Sequence, residues 1–279
     1  MHGKRPPCGP WMACAVAALT LCSPAWGTRV NYTVDPAQSS LAMSGSWNGL
    51  RLWGKPADSL ITSYQGQIKA ELTNDTIELV SVTLDAEPGG SFRPRAWGGC
   101  GRQQADYAGF HCLGLFGDVN VAFRNVTLDL SGPTLALTNG RFDASQLTAT
   151  ATSGSMDYAG AGLVWLATGR GRVPLQGTDV ANEVSTAGTV TVNGSVETIT
   201  IPVNSTFMAK IDSWLPSRCE WFEITLTGSI VATRTVSSGD SGHVIPPDIK
   251  PEPQVPEPAT LSLLVLGLGL ALRRPGTKR

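Results

Sequence analysis

Charge is sparse in this sequence. Asp, Glu, Lys and Arg make up 15% of its 279 residues and nearly cancel, leaving a formal net charge of −1. No basic face is available to neutralise phosphates, which argues against nucleic acid as a partner, and no acidic tail awaits a cationic one. Histidine is scarcer still, so the commonest general base is almost absent: beyond the N-terminal leader only His111 and His243 remain. Helical periodicity is missing as well, and the central body sustains no apolar spacing of three to four residues, which excludes a helix-rich domain. The apolar run near the C-terminus, Ala259 to Leu272, is shorter than the ~20 residues a typical spanning helix uses.

What is present begins at the two ends. Lys4 and Arg5 form a basic n-region, Trp11 to Cys22 an apolar h-region, and Ala25-Trp26-Gly27 places small residues where signal peptidase reads. Residues 1–27 are therefore expected to be a signal peptide that takes the chain through the general secretion machinery and is cut before Thr28. A lipoprotein reading of Cys22 competes, but Leu21 before it is bulkier than that processing accepts. Cys8, Cys14 and Cys22 leave with the leader, so Cys100, Cys112 and Cys219 remain. Cys100 and Cys112 bracket a Gly-rich loop, and closing it in an oxidising compartment would remove ~3 kcal/mol of unfolded-state entropy. That pairing is the expectation, with Cys219 as the spare thiol, although Cys219 could pair with either. Cys100, His111, Cys112 and Cys219 lack the compact ligand pairs of structural zinc sites, so no metal or cofactor site is assigned.

Between the ends, residues 28–237 read as one secreted all-β domain. "QIKAELT" alternates Ile68, Ala70 and Leu72 with polar neighbours, "DVNVAF" alternates Val119, Val121 and Phe123, and "FEITLTG" alternates Phe222, Ile224 and Leu226. Asn193-Gly194 between two β-rich runs predicts a hairpin turn on that pair. Turn residues recur in "TNDT", "EPGG", "LSGP" and "TNGR", so many short strands must each bury one face, which predicts an antiparallel β sandwich or barrel. Residues 238–254, polar and Gly-rich and then Pro-rich, read as a linker.

Few constellations in the body carry chemistry. Gly239-Asp240-Ser241-Gly242 has the look of a protease nucleophile motif, but Ser241 lies in the linker, with no domain after it to form a pocket. Asp85, Glu87, Asp118, Asp129, Glu220 and Glu223 are numerous enough for a glycosidase carboxylate pair, the main enzymatic alternative, yet nothing sets two of them across a cleft. No catalytic residue is assigned and the expectation is a non-enzyme. Trp47, Trp53, Trp97, Trp214 and Trp221 are candidates for stacking on exopolysaccharide, against the plainer reading of core filling. Arg93, Arg95, Trp97, Arg102, Tyr107 and His111 crowd the Cys100–Cys112 loop with groups suited to recognition. Five Asn-x-Ser/Thr triplets, at Asn31, Asn74, Asn125, Asn193 and Asn204, follow from Thr-rich strand alternation.

The C-terminal segment, residues 255–279, has Val255 before the triplet Pro256-Glu257-Pro258, then Ala259-Thr260-Leu261 leading into a Leu/Gly-rich apolar helix at 259–272, and a basic tip at 273–279 that begins with Arg273 and Arg274. It resembles the PEP-CTERM sorting signal of Gram-negative, often biofilm-forming bacteria. The resemblance implies recognition by a membrane-embedded exosortase, transient anchoring in the inner membrane, and release to the cell surface or extracellular matrix. Positive charge at Arg273 and Arg274 would keep the tip cytoplasmic. "YTVDPAQSS" also resembles the opening of the periplasmic lipocalin-like polyisoprenoid-binding family. That family has a His where this chain has Gln38 and a shorter barrel, so the resemblance implies a lipid-binding barrel as an alternative and transfers no ligand residue.

Overall fold

Period-two burial runs through the body and makes it strand after strand. The structure, a computed structural model, describes residues 27–47, 49–54, 58–92, 103–112, 115, 117–161, 169–210 and 221–236. The expected signal peptide, linker and sorting segment lie outside these residues, as do Trp97, Trp214, Cys100, Cys219 and Glu220. The chain opens with β1 (Thr28–Val34), β2 (Ser40–Trp47), β3 (Leu50–Arg51), β4 (Trp53–Gly54), β5 (Ile61–Leu72) and β6 (Thr76–Ala86). It continues with β7 (Gly90–Phe92), β8 (Gln103–Ala105), β9 (Tyr107–Cys112), β10 (Asp118–Ser131), β11 (Leu135–Ala136) and β12 (Arg141–Phe142). After a 3-10 turn at Ala144–Gln146 come β13 (Thr148–Gly160), β14 (Arg170–Pro174), β15 (Thr178–Ala181), β16 (Gly188–Asn193), β17 (Val196–Lys210) and β18 (Trp221–Thr235).

Among the described residues, sixteen strands join one antiparallel sheet, ten of them along the path β12-β16-β17-β18-β1-β5-β6-β10-β13-β14 with β2, β3, β4, β9, β11 and β15 pairing off it, and β7 and β8 form a separate ribbon. The three alternating runs read from the sequence are strands whose apolar members are buried: Ile68, Ala70 and Leu72 in β5, Val119, Val121 and Phe123 in β10, and Phe222, Ile224 and Leu226 in β18. All of them belong to one contiguous core.

Two local devices shape the sheet. β1 and β2 share one slot between β18 and β5, with Val34 opposite Ala232 and Ser40 opposite Ser229. The residues between them leave the ladder at Pro36, which has no N–H to offer a central strand. Asp35 holds the excursion: its carboxylate accepts the amide of Ala37 at 3.0 Å and the side-chain amide of Gln38 at 2.6 Å. The buried Ser39 hydroxyl donates to the carbonyl of Val231 and accepts from its amide, both at 2.9 Å, standing in for the missing ladder partner. Gly66 and Gly228, at φ 146° and 158°, mark sharp strand bends. A Cβ at either would fall about 2 Å from a neighbouring strand's carbonyl oxygen, 1.9 Å at Gly66 and 2.2 Å at Gly228.

The predicted hairpin exists, with its turn moved by one residue. Asn193 pairs with Val196, leaving Gly194-Ser195 as the loop, and φ is positive only at Gly194 (61°), the arrangement of a type II′ turn. Positive φ at two successive positions occurs instead at Asn139 (51°) and Gly140 (72°), where Thr138 and Arg141 exchange both backbone hydrogen bonds. "TNGR" is the type I′ turn.

The sheet coils until β15 lies against β17. β14 and β15 lie end to end along β13, and where β15 finishes, fully buried Asn182 ties this side of the sheet to β17. Its side-chain amide donates to the carbonyls of Ala144 and Pro202, both at 2.9 Å, and its side-chain oxygen accepts the amide of Asn204 at 2.8 Å. The backbone amide of Glu183 reaches the carbonyl of Asn204 at 2.7 Å. Asn182→Ala takes the partner from one buried and two half-buried backbone groups, each costing up to ~1–3 kcal/mol. A loss of about 3 kcal/mol or more is expected, lowering the thermal midpoint by roughly 6–12 °C in a domain of this size. Circular dichroism melts check this, and a shift below about 2 °C contradicts the role given to Asn182.

Candidate functional site

The interior of the coiled sheet contains a cavity of about 210 Å³. Its walls come from facing parts of the coiled sheet: Phe123, Val126 and Leu128 of β10, Ala151 of β13 and Val173 to Leu175 at the end of β14 on one side, Met43 of β2, Phe207 to Ala209 of β17, and Ile224 and Leu226 of β18 on the other. Every lining side chain is apolar. Past Asn182 the seam does not zip further: among the described residues β14 pairs only with β13, and β17 beyond Asn204 pairs only with β18. Phe207 and Ala209 on that stretch turn their side chains into the cavity, and exposed Pro174 and Met208 border it on β14 and β17, which puts the mouth at the unzipped seam.

A β-bulge in β10 aims the cavity wall. Val119, Val121 and Phe123 face inward; the register then shifts after Arg124, Asn125 takes φ 52°, and Val126, Leu128 and Leu130 resume the inward face. Asp106 secures both sides of the bulge. Its amide donates to the carbonyl of Phe123 at 2.8 Å, and its carboxylate accepts the amide of Val126 at 2.7 Å. Burial pushes the Asp106 pKa up to about 6, against the opposing pull of the Val126 amide and the Arg124 charge. Tyr64 and Tyr107 close the layer beside it, their buried hydroxyls 2.9 Å apart and their pKa values raised mainly by burial.

An ion cluster on the other face fixes the β14 wall. Asp157 of β13 is fully buried and shared by two arginines. Arg124 donates Nε to Oδ2 at 3.0 Å, and Arg172 donates Nε to Oδ1 at 2.6 Å and Nη2 to Oδ2 at 3.0 Å. The carboxylate thereby staples β10, β13 and β14 side by side. At the opposite end of the interior, Glu197 pairs with Arg234, whose guanidinium lies 5.8 Å from the centre of the Tyr32 ring.

The residues named from the sequence fall differently. Trp47 is buried with its ring 6.4 Å from that of His111, so it fills the core and presents no stacking face. Trp53 is 52% exposed, with the Arg51 guanidinium 5.1 Å from its ring centre. Trp221 begins β18. His111 is buried edge-on to Phe222 at 5.0 Å; burial pushes its pKa down, so it stays neutral. Its neighbour Cys112 points to the opposite face of β9, as alternate strand residues must, and is an exposed free thiol, so the two cannot share a metal ion. The predicted Cys100–Cys112 bridge finds no support at Cys112. Asp85 accepts the Thr127 hydroxyl at 2.8 Å and Asp129 accepts the amide of Val82 at 3.3 Å, roles that tie neighbouring strands together. Asp106, Arg124, Asp157, Arg172 and Asn182 were not anticipated: nothing in their local sequence marks them, and only strand pairing brings them together.

Two predictions follow from this geometry. A carboxyl whose folded pKa lies above its unfolded value favours the fold while protonated, so the Asp106 contribution strengthens as pH falls from about 6 toward 4 and is lost above. Asp106→Asn keeps an acceptor for Val126 without the charge. The variant should therefore match or exceed the wild type in stability at pH 7, and the difference between the two should shrink toward pH 4 in denaturant titrations. Asp157→Ala leaves Arg124 buried without its carboxylate and should cost ~3–5 kcal/mol, read in the same titrations.

Among the described residues no helix is long and apolar enough to cross a membrane. No curated protein and no solved structure matches the chain. One family model does: residues 254–274 match the PEP-CTERM protein-sorting motif, a sorting signal that implies an exosortase and lies beyond this β-sheet body.

Proposed function

We propose that this is an exported, non-catalytic cell-envelope protein, freed by an exosortase from a transient inner-membrane anchor, whose β body acts outside that membrane as a binding module. The observation that carries the reading is the sorting motif at residues 254–274, beyond the last strand, which ends at Thr235. The motif implies an exosortase as processing partner and an exported protein as its substrate. The signal peptide at residues 1–27 supplies the matching way out. A non-catalytic body is favoured by the chemistry available. The carboxyl with a raised pKa, Asp106, is committed to the β10 bulge, and His111 is held neutral in the core. A hydrolase would need a carboxylate pair open to substrate.

For the ligand, exopolysaccharide at the cell surface or matrix retains Trp53 with Arg51 beside it as a stacking point. The apolar cavity favours a second reading, a barrel that holds an apolar ligand.

Replacing Pro256, Glu257 and Pro258 together with Ala tests the sorting. The expected outcome is full-length protein retained in the inner-membrane fraction, seen by immunoblot of fractionated cells, while the wild type is shortened and released. Equal release of the variant contradicts the proposal.

A further inference from the structure

We infer that the cleft between β14 and the C-terminal half of β17 is a binding site for one unbranched aliphatic chain, which enters sideways through the unzipped seam. The inference rests on the reading of the β body as a binding module and adds the site and the ligand class. Size limits the occupant. At about 210 Å³ the cavity exceeds the ~150 Å³ of an apolar cavity that accepts benzene. It falls below the ~300 Å³ at which sites for drug-sized ligands begin, which favours a slender occupant. Facing layers of a coiled sheet lie ~10 Å apart, so the slot is one chain thick.

The lining sets the chemistry. Ala151 and Ala209 are small where neighbouring interior positions carry Phe123 and Phe207, and this difference in side-chain volume leaves the slot. Met43, flexible and polarisable, can follow a chain whose conformation varies. No charged or hydrogen-bonding side chain lines the cavity, so a polar head has no partner inside and stays at the mouth, beside exposed Met208. Recognition is then by buried methylenes. Each adds about fourfold in affinity, from ~0.8 kcal/mol per CH₂, until the slot is full.

The test uses the exported, processed protein and a fluorescent polyene fatty acid, displaced by octanoate, decanoate, dodecanoate and tetradecanoate and by the alcohols of the same lengths. Wild type should show affinity climbing about fourfold per methylene and then levelling, with acid and alcohol of equal length within a few-fold of each other. Ala209→Leu, which fills the slot, and Met208→Glu, which charges an already exposed mouth without touching the core, should each weaken binding at least tenfold. Val80→Glu, at an exposed position off the lining, should change nothing. Saturable binding that ignores both cleft variants overturns the cleft assignment while leaving a binding body in place. The same holds for acids that bind while alcohols do not, since that requires a charged partner the cleft lacks. Failure of the probe to bind at all overturns the cleft and the apolar-ligand reading together, and leaves the sorting proposal to its own experiment.

Discussion

The fold depends on how far its sheet is zipped, and that is set at Asn182. A sheet of short, strongly bent strands will coil, but coiling alone does not join its ends. Asn182 carries both donor and acceptor groups on one planar amide, so a single buried side chain can satisfy the carbonyls of Ala144 and Pro202 and the amide of Asn204 together. Such a fully satisfied group costs little to bury and specifies one alignment of the two edges. An apolar residue there would leave those backbone groups without partners, and a longer one would push the edges apart.

Closure at one point and its absence farther along the same seam create the cavity. From Asn204 onward β17 loses its neighbour on the β16 side, while β14 is held on β13 by the Asp157 cluster. The cluster and the Asp106 bracket on the β10 bulge are polar structures built around an apolar space, and each keeps its charged or polar atoms turned away from that space. Burying Asp157 is tolerable because two guanidiniums and three hydrogen bonds meet it. At Asp106 burial outweighs the Val126 amide and the Arg124 charge, which is why its proton affinity rises.

A protein whose sorting motif marks it for export must hold its shape after export without a helical core. One contiguous β core with few buried charges, each of them paired or hydrogen-bonded, meets that requirement. It also leaves an apolar interior reachable from the side, in a protein whose maturation takes place against a lipid bilayer.

The strand content, the inward residues of β5, β10 and β18, and the sorting motif were legible in the sequence because each is a local pattern: period two in the first cases, and a contiguous triplet, apolar run and basic tip in the last. Turn position was legible only to within a residue, since Asn193-Gly194 and Asn139-Gly140 look alike and strand register decides which pair occupies the loop. Trp47 and Trp53 are six residues apart, and nothing nearby distinguishes them; one is core and the other surface because β2 and β4 meet different neighbours. The Asn182 clasp, the Asp106 bracket, the Asp157 cluster and the cavity join residues far apart in the chain, such as Met43 and Leu226 in the cavity wall. Composition and motif alone determined that this is a β protein with a sorting motif for export, because period-two alternation and a contiguous triplet, apolar run and basic tip are local features of the linear sequence. Tertiary structure decided that the sheet zips only in part and is apolar inside, because closure depends on which distant backbone groups a buried amide can reach.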